Sequence, residues 1–397
     1  MSRPFLLNHN MALSGHASDL DLVSILRAIN GNSGNSVIAE GLCVQLGLTA
    51  PPVGPANIFD FDPADIDYHT TNRDYTHVVL ILQDHINAAF NTVDWSPLVR
   101  ALGQLTLPLV VVSLGCNGPV GATPEEVVSG LSPQLIAFVR FLGVRAVSIG
   151  TRGLVTARVL RLLGVENHAV VGCPSYFLHG AGRRVNEVPA DAEGPVLAGG
   201  LFANAEDRDV HFMLQSELGL IETLAGSRIT HLAKISELRA RYPGYLRTLL
   251  QAGLAGRLEF FVNPAAWRRR ILDLKPAVSV GTRVHGAIQA LNSGVPAFVT
   301  AGDLRAREMC ELFGIPRAHI GGTQGKSVAD LRRMASTDVL NAVYDDRYAR
   351  FVAWLTEAGL GPVGGSGVGG ISHWEWVKIR SKPLDDRVDG LLRHLEG

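Results

Sequence analysis

Short, near-continuous apolar runs alternate along this chain with stretches whose apolar residues recur every three or four positions. Runs of the first kind read as strands buried on both faces, and stretches of the second kind as helices packed against them. The runs predict strands at Leu22–Leu26, His77–Leu82, Leu107–Ser113, Ala146–Ile149 and His168–Val171. A second series is predicted at Val196–Leu201, Ile229–Leu232, Leu258–Phe261, Ala277–Val280 and Ala297–Thr300. Between them, Pro133–Leu142 carries Leu135, Ile136, Val139 and Leu142 at helical spacing. That rhythm predicts an α/β protein built on parallel sheets.

The two series are separated by Gly180–Gly194, a polar stretch (GAGRRVNEVPADAEG) with no period, which reads as a linker. The expected organisation is two Rossmann-like, doubly wound domains facing a cleft. The first spans 1–187 and the second 188–340, with a helical and loop segment at 341–397 packing back on them. Within that last segment, 359–370 reads as a flexible glycine-rich loop and 387–395 as a terminal helix.

Composition supports this picture and excludes others. At 397 residues the chain exceeds one ordinary core. It is 47% hydrophobic and 18% charged with net charge -1, so it reads as globular and has no basic stripe for nucleic acid. The first residues hold too short an apolar run for a signal peptide, and no run is long enough to span a membrane. Cys43, Cys116, Cys173 and Cys310 are scattered, which argues against a zinc site and a disulfide framework. A cytoplasmic protein with reduced thiols and no metal is expected. The composition is compatible with a homo-oligomer.

One pentapeptide pattern occurs twice: Ser148-Ile-Gly-Thr-Arg152 and Ser279-Val-Gly-Thr-Arg283. Each follows a predicted strand and opens a predicted helix that runs to a glycine, Gly164 or Gly294. A helix N-terminus presents unpaired N–H groups and partial positive charge, and an arginine adds a planar fork matched to phosphate or carboxylate. Arg152 and Arg283 are therefore expected to grip one small anion across the cleft. His285, two residues past Arg283, could bind the same ligand as a cation or move a proton.

The stretches GTRVHGAIQALNSGVPAFV (281–299) and AGDLRAREMCELFGIP (301–316) resemble the polysaccharide pyruvyl transferase family. So do NGNSGNSVIAEG (30–41), RGLVTARVLRLLG (152–164) and VVGCPSYFL (170–178). The resemblance implies a GT-B-like arrangement of the two domains and phosphoenolpyruvate as donor, with no further cofactor. The acceptor it implies is a hydroxyl pair of a sugar or lipid-linked glycan; another hydroxylated small molecule is the alternative. In that family an Arg-x-His motif contacts phosphoenolpyruvate, and it falls on Arg283 and His285, beside Gly281, Thr282 and Gly286. Arg152 matches the arginine of the first domain. The loop with Asn32, Gly34 and Asn35 matches the family's N-terminal turn, with Asn35 where many members carry an acid. Asp303, Arg305 and Glu308 match an acidic-x-Arg-x-x-Glu pattern.

Taken by themselves, Asp84 and His85 lie just past the strand HVVLIL, where functional loops sit, and are nominated as acceptor bases. Asp303, Arg305 and Glu308 read more simply as a helix cap with an ion-pair network. Ser175 could line the cleft or sit in a turn. Ile320–Ser327 misses the phosphate-loop spacing by one residue, and Ser327 with Asp330 makes a capping box instead. Two other readings compete: a glycosyltransferase of the same fold using a nucleotide sugar, and an anion-sensing protein without catalysis.

Overall fold

The computed structural model describes residues 2–13, 21–50, 52–187, 193–202, 209–225 and 231–361. Two parallel sheets organise them. The first sheet runs β1 (Pro4–Leu7), β2 (His77–Ile81), β3 (Leu109–Leu114), β4 (Ala146–Thr151) and β5 (His168–Val170), in that spatial order. The second contains β6 (Val196–Gly199), β7 (Val210–Leu214), β8 (Leu258–Phe260), β9 (Val278–Gly281), β10 (Ala297–Thr300) and β11 (Arg317–Ala318). Its spatial order is β11-β10-β9-β6-β7-β8. That is the strand order of a dinucleotide-binding sheet, and it reverses between β6 and β9, where ligands gather in such folds.

Alternation places side chains on both faces of the first sheet. Phe5, Leu7, Val78, Leu80, Leu109 and Val111 pack on the outer face under the helices Ser96–Gln104, Pro133–Arg145 and Leu154–Leu162. Leu6, Val79, Ile81, Val110 and Val112 face the other way, into a core that continues through the second lobe. The helix Gly34–Gln45 fills that junction. Every one of its residues is buried, including the polar Asn35, Ser36, Glu40 and Gln45. Its Glu40 makes a two-pronged ion pair with Arg268 of the second lobe, at 2.5 and 2.7 Å.

The segment Asp338–Glu357 is one long helix that starts on the second lobe and ends on the first. There Trp354 donates to the Ser148 hydroxyl (2.7 Å) and Tyr348 donates to the Gln45 side chain (2.9 Å).

Several expectations differ from this arrangement. Leu22–Leu26 belongs to a helix, Leu22–Ala28. Asp21 caps it by accepting the Ser24 N–H, and Leu22, Ile25 and Leu26 are its buried residues, three and four apart. Leu232 opens the helix Leu232–Arg241, and the rest of that predicted strand falls largely outside the described residues. Strands β1, β7 and the two-residue β11 were not expected. The first is only four residues long, and His211 interrupts the apolar run of the second. The proposed terminal helix and most of the glycine-rich loop also lie outside the described residues.

Candidate active site

Both repeats lie where they were expected. Arg152 directly follows β4 and precedes the helix Leu154–Leu162, while Arg283 is the N-cap of the helix Val284–Asn292, which follows β9. The helices end at Gly164 and Gly294, with φ of 78° and 77°.

Arg152 is 1% exposed. Its Nε donates to the Ser113 hydroxyl at 3.0 Å, and one terminal nitrogen, Nη2, is buried with no partner among the described residues. Burial pushes its guanidinium below the usual range; Cys173, then Asp84 and Glu308, only partly offset this, and Arg305 adds to it. A buried cation with an unused donor is costly unless something anionic completes it.

The second guanidinium of the site is Arg305. It reaches Asp84 of the first lobe at 3.2 Å and Asp303 at 2.9 Å. Arg283 points elsewhere: its Nη2 donates to Glu217 at 2.9 Å and its stem crosses Gly200. The structure does not bring the expected Arg152–Arg283 pair together: Arg283 is held by Glu217, and Arg305 stands with Arg152 beside His285. Glu217 follows β7 and draws Arg283 from the end of β9 across that of β6.

His285 sits between these groups. Burial, then Arg152 and Arg305, hold its imidazole well below the ordinary range, against a smaller opposing pull from Asp84. That direction favours the neutral ring, against the expected binding as a cation. Its Nε2 lies 3.7 Å from Cys173 Sγ.

Asp84 is also corrected. Burial raises its pKa, but Arg305 and then Arg152 outweigh burial and hold it at about 2. So acidic a carboxylate is a poor proton acceptor. Its Oδ2 also takes Asn117 Nδ2 at 3.4 Å, so Asp84 orients Arg305 rather than serving as a base. His85 is 2% exposed, stacked on Phe90 and Phe59 with ring centroids 4.9 and 5.5 Å away. Its Nδ1 accepts the Gln83 N–H and burial lowers it to about 4, so it is a packed ring.

The remaining candidates are largely structural. Asp303 caps the helix Leu304–Phe313 by accepting the Ala306 N–H. Glu308 reaches across to the first lobe, where Thr156 donates through its backbone (3.0 Å) and hydroxyl (2.6 Å). Burial lifts Glu308 to about 7. Gly153 leaves room for that carboxylate, because a Cβ there would lie 2.7 Å from Oε2. Asn32 accepts the Gly34 N–H (2.9 Å), and Asn35 donates to Ile29 O (3.1 Å). Thr282 accepts the Leu201 N–H (3.2 Å), and Ser175 is fully buried beside Cys173. Gly281 has φ 145° and lies against Gly199, whose carbonyl would meet a Cβ at 2.1 Å. Gly286 and Gly34 flank the buried Gln215 amide, whose Nε2 has no partner among the described residues. The Ser327–Asp330 capping box is present.

Ser113, Cys173, Thr156, Gln215 and Glu217 were not singled out as ligand groups. Ser113 carried no signal in the sequence, yet it is a buried non-glycine residue with φ 66°. Such strain concentrates at functional sites. A cavity of about 660 Å³ lies apart from this cluster, along β1, lined by Phe5, Arg27, Val53, Phe61 and Tyr75 among others. Among the described residues no acidic, histidine and cysteine cluster could hold a metal, and no helix is long and apolar enough to cross a membrane.

No family model matches the chain, and no curated protein does. Among solved structures it is similar to the Anabaena protein HepE with UDP and glucose. The identity is 12%, covering 84% of this chain and 81% of that one, with a TM-score of 0.36. It is also similar to a Listeria monocytogenes protein named as a UDP-N-acetylglucosamine 2-epimerase. Here too the identity is 12%, covering 78% of this chain and 82% of that one, with a TM-score of 0.38. The α/β architecture with two parallel sheets is read from the chain's own strand order.

Proposed function

We propose that this chain is a transferase that moves the pyruvyl group of phosphoenolpyruvate onto hydroxyls of a sugar or glycan in the cytoplasm. The observation that carries the reading is the buried Arg152, with its unpartnered Nη2, facing Arg305 and His285 of the other lobe. Phosphoenolpyruvate carries a phosphate and a carboxylate on three carbons, so two guanidinium groups from opposite lobes match its charge. In the reaction, C3 of the donor gains a proton and C2 becomes electrophilic. One acceptor hydroxyl adds at C2, phosphate departs, and the second hydroxyl closes the ketal. Arg152 and Arg305 stabilise charge on the donor, and neutral His285 donates a hydrogen bond to it.

The test is incubation with phosphoenolpyruvate and a panel of sugars, following phosphate release and, by mass spectrometry, the gain of pyruvate less one water. Arg152→Ala is expected to lower kcat/KM by about 30- to 1,000-fold, the equivalent of about 2–4 kcal/mol. A second reading is glycosyl transfer from a nucleotide sugar, favoured by the strand reversal between β6 and β9 with Gly199, Gly200 and Arg283 at its mouth. Turnover of a nucleotide sugar, with none of phosphoenolpyruvate, would select it over the first.

A further inference from the structure

Cys173 lies at the centre of a polar chain that links the two lobes. Arg152 Nε donates to Ser113 Oγ at 3.0 Å, and Ser113 Oγ donates to Cys173 Sγ at 3.5 Å. Ser175 Oγ is 3.0 Å from the same sulfur, and His285 Nε2 is 3.7 Å from it. Cys173, Ser113 and Ser175 are each 0% exposed. The chain has a direction. An arginine can only donate, so the Ser113 hydroxyl proton is left to point at sulfur. Cys173 Sγ is the one acceptor found for the Ser175 hydroxyl among the described residues. The sulfur therefore accepts twice, and its own S–H is free for the remaining neighbour, the lone pair of His285 Nε2.

From this directionality we infer that Cys173 is a positioning residue, whose thiol donates to His285 Nε2 and fixes the ring with its proton on Nδ1. Nδ1 makes no hydrogen bond to the described residues and is not among their buried unpartnered atoms. The ring thus offers the cleft an N–H donor. A neutral imidazole is required for this arrangement, and the flanking Arg152 and Arg305 guanidinium groups, with burial, keep it neutral. The groups facing the ring from all sides are Arg152, Arg305, Asp84 and Cys173. A histidine tautomer is set by the hydrogen bond its other nitrogen makes, and here that partner is a thiol. The functional meaning rests on the phosphoenolpyruvate reading, in which Nδ1–H meets the donor's phosphate; the tautomer itself does not.

The test is nitrogen-15 NMR of the full chain with labelled histidine, with the His285 signals assigned by their loss in His285→Gln. The expected wild-type spectrum at neutral pH shows Nδ1 protonated and Nε2 bare. In Cys173→Ala the ring should revert to the Nε2–H form favoured in water. A wild-type ring that is charged, or protonated on Nε2, overturns the inference even if Cys173→Ala does not fold. An unchanged tautomer in folded Cys173→Ala overturns it as well. Adding phosphoenolpyruvate should move the Nδ1–H proton signal. If the tautomer is as stated and that signal stays still, the donor reading fails while the role of Cys173 stands.

Discussion

The ion pair between Glu40 and Arg268 sets the energetic link between the lobes, and a double-mutant cycle measures it. The two side chains are 1% and 8% exposed, so each charge depends on its partner rather than on water. Arg268 also donates to Gln289 Oε1 at 3.2 Å. Arg268→Met strands the Glu40 carboxylate, and Glu40→Leu strands the guanidinium. Each should cost about 3–5 kcal/mol, the usual penalty for an uncompensated buried charge. The double variant removes both charges and leaves only Gln289 Oε1 without its donor, a cost of about 1–3 kcal/mol. The coupling energy should therefore exceed about 3 kcal/mol. Urea denaturation followed by circular dichroism and tryptophan fluorescence gives all four stabilities. Because the core runs through both lobes, the two signals should fall together. Single variants that each cost under about 1 kcal/mol, or a double variant as damaged as the sum of the two, would refute the reasoning.

Two further outcomes follow from the lobe junction. Glu308 is lifted from the usual 4.5 to about 7, so the folded state holds its proton more tightly than the unfolded chain does. Its contribution is complete below pH 4.5 and is lost as pH rises through 7, a loss of about 3 kcal/mol from this group. Glu308→Gln should flatten stability between pH 5 and pH 8 in parallel urea melts; a slope equal to wild type would contradict the assignment. Gly153→Ala should cost about 1–3 kcal/mol by thermal melting, through displacement of Glu308 from Thr156. Its φ of -171° adds no backbone strain, so the loss comes from the Glu308 side chain, whose Oε2 and Cβ the new Cβ would meet at 2.7 and 3.0 Å.

Eight of the ten predicted strands were legible because parallel strands are apolar on both faces, and runs such as Val78–Leu82 have no other reading. Leu22–Leu26 shows the limit: an apolar run this short fits a buried helix turn as well as a strand, and Asp21 decided between them. For the site, the repeat correctly placed two arginines at strand-to-helix junctions. It could not reveal that Glu217 would claim Arg283, because that partner comes from a different strand end 66 positions away. Arg305 and Asp84 are 221 positions apart, and a chain read in one dimension does not pair them. The tension at Ser113 likewise has no signature in its residue type.

The long closing helix carries the backbone from the second lobe back onto the first along Asp338–Glu357. With Trp354 anchored on Ser148 and Tyr348 on Gln45, it acts as a strap between them. Separating the halves would have to break both of these bonds as well as the buried Glu40–Arg268 pair.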